Sequence, residues 1–355
     1  MDNGILTFAL ALATSWSLTL PVREFALWIG MVDHPGPRKV HRTPIPLLGG
    51  LAIYCAAILA TLLSLHGQAR TQVLGILGGA TLLLVVGILD DRGLLHHQVK
   101  LLLAMPLAAV ILIASAVRAQ IAFNFLPPQI GLALNVGITL VWVVGVTAAF
   151  SILDHMDGLC SGIAGIAAFF FAVLAVRDKQ VLVGTLGAAL FGAALGFLRW
   201  NFTPARIFMG DGGAMFLGFM MATLGLKLRL STPDSAAWII PVMVLGVPIF
   251  DTSLVWISRS RRGLVPFTSP GKDHSAHRLA NTALGQRRAV LVMYAAGVLS
   301  GSLALFVTHL TAHTAYVLLV VLITMAVPAV IALERFPYQR QATKRSNPVP
   351  PVSTT

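Results

Sequence analysis

The chain has 355 residues, of which 57% are hydrophobic and 11% charged, and its formal net charge at pH 7 is +12. Soluble domains carry about a quarter charged residues, so this composition excludes an ordinary soluble enzyme and predicts a membrane protein. The positive charge alone would fit a nucleic-acid-binding protein, but its distribution along the chain argues against that class. Two cysteines, Cys55 and Cys160, lie in apolar stretches and form neither a disulfide pattern nor a metal-binding pattern.

Apolar runs close to the length of about 20 residues that spans a bilayer recur along the whole chain. Each span must satisfy its own backbone polar groups, so we predict an all-α polytopic membrane protein. No positive charge precedes the first run, which indicates a retained span rather than a cleaved signal peptide. We predict about eleven spans, at about 5–20, 50–66, 72–90, 99–117, 133–150, 159–176, 181–198, 213–230, 237–257, 289–308 and 314–333.

The segments between the spans differ in composition. Prolines and glycines in 32–50 forbid a continuous helix, and 119–132 is expected to be an outer loop or a short re-entrant piece. Residues 1–334 are expected to form the membrane domain. The polar, proline-rich residues 335–355 are expected to form a disordered cytoplasmic tail.

Lysine and arginine predict the orientation of the chain. With the N-terminus outside, the inner segments contain nineteen of these residues and the outer segments six. This asymmetry follows the positive-inside rule and predicts contact with anionic membrane lipid or substrate, not with nucleic acid. Most of the aspartates fall on the same inner side. We therefore expect a functional site on the cytoplasmic face.

Four carboxylates stand out because charge is costly at bilayer depth. Asp90 and Asp91 close the third span, where one can face a site while the other orients a neighbour, although a solvated pair at a span's end is the plainer alternative. Asp154 and Asp157 lie between two apolar runs. Their spacing of three predicts that they share one face of a helix, where two like charges need a cation or a proton between them.

Two further stretches carry phosphate chemistry. In F-M-G-D-G-G, glycines around Asp211 let a backbone approach a phosphate, and the following helix N-terminus favours an anion. Asp211 suits a hard cation such as Mg²⁺, which shares substrate phosphates. In K-D-H-S-A-H-R-L, His274 and His277 lack the further ligands of a tetrahedral zinc site. With Arg278 they are better suited to hydrogen-bond a diphosphate.

Taken together, six motifs resemble, in order, those of the polyprenyl-phosphate N-acetylhexosamine-1-phosphate transferases. They are R-K-V-H-R-T-P-I-P-L-L-G-G, G-I-L-D-D with Lys100 beyond it, L-D-H-M-D-G-L, F-M-G-D-G-G, P-I-F-D-T and K-D-H-S-A-H-R-L. The resemblance implies a bacterial inner-membrane enzyme with ten or eleven helices. Such an enzyme transfers a sugar-1-phosphate from a UDP-sugar, here GlcNAc-1-phosphate from UDP-GlcNAc, to undecaprenyl phosphate and releases UMP.

The resemblance also implies roles for individual residues. Asp90 is similar to the family's base for the lipid phosphate, with Asp91 beside it, and Asp211 is similar to the ligand of Mg²⁺, for which Mn²⁺ can substitute. Asp154 and Asp157 match positions that line the nucleotide-sugar pocket. The substrate-binding set that the resemblance implies is Lys39, His41, Lys100, Ser151, His274, His277 and Arg278. A homodimer is the assembly that we consider.

The chain departs from the family pattern at four positions. Ala148 and Ser151 stand where the family usually has asparagines, His155 stands in place of Gly or Asn, and Ala214 in place of Ser. Ser151 can replace an asparagine through its hydroxyl, whereas Ala148 cannot. The loop H-S-A-H-R-L differs from the H-H-H of phospho-MurNAc-pentapeptide translocases, so we infer a different donor. An altered donor sugar or a weakly active family member are the variants left open.

Two other classes of protein share parts of this pattern. A secondary transporter places charge near the bilayer midplane in repeated halves, whereas here the charge lies at the inner face without a clear repeat. The D-x-x-D-G at 154–158 also resembles CDP-alcohol phosphotransferases, but the continuation L-C-S-G-I-A-G lacks their further aspartates. The sequence favours the sugar-1-phosphate transferase over both.

Overall fold

A computed structural model describes residues 3–35, 43–65, 70–95, 97–121, 123, 126–230, 236–265 and 271–336. The substrate-binding predictions for Lys39 and His41, and that of a disordered tail beyond residue 336, lie outside these residues. The helices are α1 Asn3–Trp28, α2 Gly49–Ser64, α3 Arg70–Asp91, α4 His97–Val99, α5 Met105–Ala114, α6 Pro128–Leu153, α7 Leu159–Arg177, α8 Val181–Asn201, α9 Gly210–Lys227, α10 Ile239–Val244, α11 Gly246–Arg261, α12 Ser275–Leu279, α13 Gly285–Val307 and α14 Ala312–Arg335. The π-helical turns Lys100–Ala104 and Ala280–Leu284 join α4 to α5 and α12 to α13.

The prediction of an all-α polytopic membrane protein is confirmed. Seven helices of the described chain are long and apolar enough to cross a membrane, and Gly49–Ser64 and Lys100–Ala114 are shorter apolar helices. The outward faces of these helices carry large apolar side chains, among them Trp28, Leu299 and Val320, which are more than half exposed. Such a surface is costly in water and suits lipid tails. One antiparallel pair, β1 Val32–Asp33 with β2 Ile45–Pro46, is a small exception to the all-helical prediction.

The predicted spans overlap the helices with two informative differences. The span predicted at 237–257 is broken, because α10 ends at Val244 and α11 begins at Gly246. Pro248 has no N–H to bond with the carbonyl of Val244, which weakens a continuous helix at this point. The span predicted at 99–117 begins with a π-helical turn at Lys100. Such turns are rare and occur frequently at functional sites.

Helix α9 is the centre of the bundle, and nearly all of its side chains are buried. It packs against α2, α3, α6 and α7. At its first turn the backbones come unusually close: a Cβ on Gly50 would lie 2.3 Å from the Cα of Gly213, and a Cβ on Gly87 equally close to that of Gly212. Small residues allow such helix contacts within a membrane. The N-terminus of α9, which carries Asp211, is therefore held in place by two neighbouring helices.

Candidate active site

A cavity of about 620 Å³ opens at the end of the bundle where α3, α6 and α8 end and α7 and α9 begin. The short strand β1 and the segment around α12 complete its wall. Its ionisable lining residues are Asp33, Asp91, Asp154, His155, Asp157, Asp211, Lys272 and His277. The elements that the sequence analysis assigned to the cytoplasmic side are therefore brought together around one cavity.

Asp211 lies at the first turn of α9, and Asp91 fixes its backbone. The N–H of Asp211 donates to Asp91 Oδ1 over 2.9 Å, and the N–H of Gly212 donates to Asp91 Oδ2 over 3.4 Å. The first N–H groups of a helix have no partner within the helix, and here a carboxylate from α3 supplies one. Gly210 precedes them with φ +75°, and a Cβ at this position would lie 2.5 Å from Asp91 Oδ2. Asp91 therefore positions the turn that presents Asp211.

Lys100 joins two of the predicted carboxylates. Its Nζ donates to Asp90 Oδ2 over 2.7 Å and to Asp211 Oδ2 over 2.6 Å. The other oxygen of Asp211 accepts a hydrogen bond of 3.2 Å from Ser151 Oγ, in the last turn of α6. Charge-assisted hydrogen bonds of this kind are strong and directional. Asp90 and Lys100 from one motif, and Ser151 from the end of α6, are thus brought together around the carboxylate of Asp211.

Asp154 and Asp157 do not share a face of a helix, and that prediction is wrong. Helix α6 ends at Leu153 and α7 begins at Leu159, so both aspartates lie in the connecting turn. Gly158, directly before α7, has φ +76°, a conformation that favours glycine and that prevents one helix from running through this turn. Asp157 Oδ2 accepts a hydrogen bond of 3.0 Å from the N–H of Ala205 and so holds the α8–α9 connection.

Asp154 has the surroundings of a cation-binding carboxylate. Burial raises the pKa of Asp154 well above its ordinary value, and the negative charges of Asp211, Asp91 and Asp157 raise it further. A carboxylate in this position needs a proton or a bound cation to balance it. The carboxylates of Asp154 and Asp211 and the hydroxyl of Ser151 are hard oxygen donors, which fit Mg²⁺ or Mn²⁺.

Residues 272–278, called here the histidine segment, form another part of the cavity wall. His277 and Lys272 line the cavity directly. His274 lies behind them, with Nδ1 2.9 Å from Asp251 Oδ2, while Asp251 Oδ1 accepts a 2.7 Å hydrogen bond from the N–H of Ser275. Asp251 therefore fixes both His274 and the first turn of α12. This leaves His277 and Lys272 as the groups of this segment that face a ligand.

His155 is inserted between the two predicted histidines. Its ring centroid is 4.1 Å from that of His274 and 4.5 Å from that of His277. Burial holds the pKa of His155 well below its ordinary value, and the two neighbouring histidines lower it further. The imidazole of His155 is therefore neutral at physiological pH.

Arg278 was predicted to bind a diphosphate, but it is not among the residues that line the cavity. Its side chain is fully buried and pairs with Glu334 Oε1 over 2.8 Å. It also donates to the backbone oxygens of Asp273 and Leu333 and to Ser258 Oγ. In this structure Arg278 ties the histidine segment to the ends of α11 and α14.

Asp273 holds the histidine segment in place through ion pairs with two arginines, one in α11 and one that directly follows it. It accepts hydrogen bonds from Arg259 over 2.8 and 3.1 Å and forms an ion pair with Arg262. Burial would raise the pKa of Asp273, but the hydrogen bonds from the two arginines outweigh it and lower the pKa to about 2. The segment thus keeps its internal ion pairs across the physiological pH range.

Sequence reasoning missed several residues of the site. Asp33 and Gln286 line the cavity, and Asn201 Oδ1 accepts a 3.0 Å hydrogen bond from the N–H of Gly158. Asp251 was recognised as part of a family motif, without a role of its own. The contact of Asp251 with His274 joins residues 23 positions apart, which no spacing rule reveals.

Comparison with known proteins gives a consistent result. The family model for glycosyl transferase family 4 matches residues 73–229. A probable undecaprenyl-phosphate N-acetylglucosaminyl 1-phosphate transferase of Bacillus subtilis is 36% identical over 298 residues, which cover 84% of this chain and 83% of the relative. A decaprenyl-phosphate N-acetylglucosaminephosphotransferase of Mycolicibacterium smegmatis is 31% identical, with 91% and 86% covered.

A more distant relative has a similar name. The undecaprenyl-phosphate α-N-acetylglucosaminyl 1-phosphate transferase of Salmonella typhi is 26% identical over 286 residues, which cover 79% of this chain and 77% of the relative. The matches with these three relatives cover between 79% and 91% of this chain. The chain therefore belongs to glycosyl transferase family 4, in the group of polyprenyl-phosphate N-acetylglucosamine-1-phosphate transferases.

Proposed function

We propose that the chain transfers GlcNAc-1-phosphate from UDP-GlcNAc to undecaprenyl phosphate and releases UMP. A phosphate oxygen of the lipid attacks the β-phosphorus of the donor, and the bond from that phosphorus to the oxygen of the α-phosphate breaks. The observation that carries this proposal is the convergence of Asp90, Lys100, Ser151 and Asp211 beside a cavity at the end of an apolar bundle. The names of the relatives supply the two substrates.

Phosphoryl transfer depends mainly on positioning and on balancing negative charge. In the proposed reaction Lys100, which lies beside the cavity in contact with Asp211, binds the lipid phosphate, and Asp90 orients that phosphate or takes up its proton. Asp211, with Ser151 and Asp154, would hold Mg²⁺, which would neutralise charge on the donor diphosphate. His277 and Lys272 donate hydrogen bonds to the nucleotide side of the donor.

Two of the predicted catalytic aspartates take positioning roles in this proposal. Asp91 accepts hydrogen bonds from the first N–H groups of α9, and Asp157 accepts one from the α8–α9 connection. Both therefore set the position of the turn that carries Asp211. Arg278 acts in the same way on the histidine segment.

The family of the chain argues against the alternative functions that its sequence also suggests. Family membership removes the transporter and the CDP-alcohol phosphotransferase, because neither belongs to this family. Within the family, the names of these relatives specify N-acetylglucosamine and a polyprenyl phosphate, which supports UDP-GlcNAc over a MurNAc-pentapeptide donor for this chain.

A donor and acceptor panel tests the proposal. We expect the purified protein to release UMP from UDP-GlcNAc in the presence of undecaprenyl phosphate and Mg²⁺ or Mn²⁺, and more slowly from UDP-GalNAc. UDP-MurNAc-pentapeptide should give no product. UMP release that does not require the lipid phosphate, or that occurs only with the pentapeptide donor, would contradict the proposed substrates.

We further propose that the chain has about eleven spans in the bacterial inner membrane, with the cavity open to the cytoplasm. The positive-inside asymmetry supports this orientation. Residues 1–334 would then form one catalytic domain. That two copies of the chain form a homodimer stays a prediction.

Cysteine labelling checks the orientation. In a background without Cys55 and Cys160, we introduce Ala283→Cys at the cavity end and Thr311→Cys in the turn before α14, both at exposed positions. In intact spheroplasts a membrane-impermeant maleimide should label the Thr311→Cys protein alone, and the Ala283→Cys protein only after the membrane is opened. The reverse pattern would overturn the orientation.

A further inference from the structure

His155, Asp251 and His274 form a compact cluster next to the cavity, separate from Asp211. One ligand atom from each residue lies within 4.8 Å of the others. His274 Nδ1 is 2.9 Å and His155 Nε2 is 3.9 Å from Asp251 Oδ2. We propose that these three side chains form a binding site for a divalent transition metal of the Zn²⁺ class.

The distances are close to those of a metal site. Donor atoms about 2.0–2.1 Å from a zinc ion in a tetrahedral arrangement lie roughly 3.3 Å apart. The contact of His274 with Asp251 is already shorter than this. His155 has to approach Asp251 by about 0.6 Å, and the widest pair of donor atoms, which lie within 4.8 Å of each other, has to close by up to about 1.5 Å. A change of this size is within the range of a side-chain rotation and leaves the backbone in place.

The surroundings of His155 indicate that a partner belongs there. Both of its ring nitrogens are buried and have no hydrogen-bond partner within the described chain. Buried polar groups are almost always paired, and an unpaired imidazole nitrogen is costly in a dry environment. A neutral imidazole offers one lone pair, which is the form that binds a metal.

Asp251 supplies the negative charge and is already oriented. One of its oxygens is held by the N–H of Ser275, which directs the other oxygen toward the two histidines. Its side chain is 1% exposed, and the basic side chains within 4 Å of its carboxylate in the described part of the chain are these two histidines. A buried carboxylate between two imidazoles is a donor set that would gain from a shared cation.

The donor types select the class of metal. Two imidazole nitrogens and one carboxylate oxygen are typical of zinc and related transition metals. Mg²⁺ prefers oxygen donors and water, and therefore suits Asp211 rather than this cluster. Because His155 also lines the cavity, a remaining coordination position would be accessible from the cavity. Water or an oxygen of a cavity ligand can fill that position.

Metal content is the direct test, and it is independent of transferase activity. Purified protein in detergent is dialysed against Zn²⁺ with excess Mg²⁺, and bound zinc is counted by mass spectrometry. We expect about one zinc per chain, and Co²⁺ in its place should give visible d–d absorption bands of a low-coordinate site. A wild-type protein that retains no zinc and shows no such bands overturns the proposal.

Three variants locate the site. His155→Asn and Asp251→Asn should each lower Zn²⁺ affinity by about 10-fold or more, since each removes one ligand. His309→Asn removes an exposed histidine elsewhere and should retain the metal, and Asp211→Asn should retain it too. Zinc that stays bound with unchanged affinity in a folded His155→Asn protein would show adventitious binding and contradict the proposal. Thermal unfolding and gel filtration establish whether the variants are folded. If they are not folded, the Co²⁺ absorption spectrum of the wild-type protein tests the proposal instead.

Discussion

Asp211→Asn is expected to lower the rate of UMP release by about 10²–10³-fold or more, while the protein still folds and inserts. Asparagine preserves the size of the side chain and its position at the first turn of α9. It removes the negative charge that contacts Lys100 and that, in the proposed function, holds Mg²⁺. The measurement is UMP release as a function of Mg²⁺ concentration, in which the variant should need far more metal for its residual activity.

A matched control is Asp178→Asn, because Asp178 lies in the turn between α7 and α8, at the other end of these helices. Its activity should stay within about two-fold of wild type, as expected for a surface change remote from the reaction. Wild-type activity and metal dependence in Asp211→Asn would exclude Asp211 as the metal ligand.

Lys100→Met is expected to reduce UMP release by about 10²-fold or more, for a different reason. Methionine keeps the apolar stem but removes the ammonium group that lies between Asp90 and Asp211. The proposed role of that group is to bind the lipid phosphate, so the effect should appear chiefly in the Michaelis constant for undecaprenyl phosphate. The requirement for Mg²⁺ should not rise, since loss of Lys100 leaves the carboxylate of Asp211 more available to a metal.

Two further variants test whether the effect comes from the positive charge at position 100. Lys100→Arg keeps the positive charge and should retain part of the activity, whereas Lys179→Met changes an exposed lysine at the far end of the bundle and should have no effect. If Lys100→Met loses Mg²⁺ dependence in the same way as Asp211→Asn and binds lipid phosphate normally, Lys100 belongs to the metal site instead.

Much of the site follows from the sequence because rare residue types mark it. Aspartates are conspicuous between apolar runs, and their position at the ends of spans predicted that Asp90, Asp154 and Asp211 would meet. Lys100 and Ser151 were included through motif resemblance, and the structure places both on Asp211. Helical spans were predictable for a similar reason, since the bilayer imposes both their length and their hydrogen bonding.

The remaining features depend on contacts that no local pattern contains. Asp91 and Asp90 are adjacent in sequence, yet the first accepts hydrogen bonds from the backbone of α9 and the second pairs with Lys100. Arg278 resembles an anion-binding residue, but its partners include Glu334 and the backbone oxygen of Leu333, both in the distant helix α14. The helical spacing of Asp154 and Asp157 does not apply because α6 ends at Leu153, before both aspartates, and α7 begins only after Gly158.

The fate of the β-phosphorus tests the central claim most directly. UDP-GlcNAc radiolabelled at its β-phosphorus is incubated with the purified protein, undecaprenyl phosphate and Mg²⁺, and the lipid and aqueous products are separated. Sugar-1-phosphate transfer predicts that the label moves into the lipid fraction in step with the release of unlabelled UMP. Label that leaves as UDP, with sugar alone on the lipid, would show glycosyl transfer and contradict the proposed reaction.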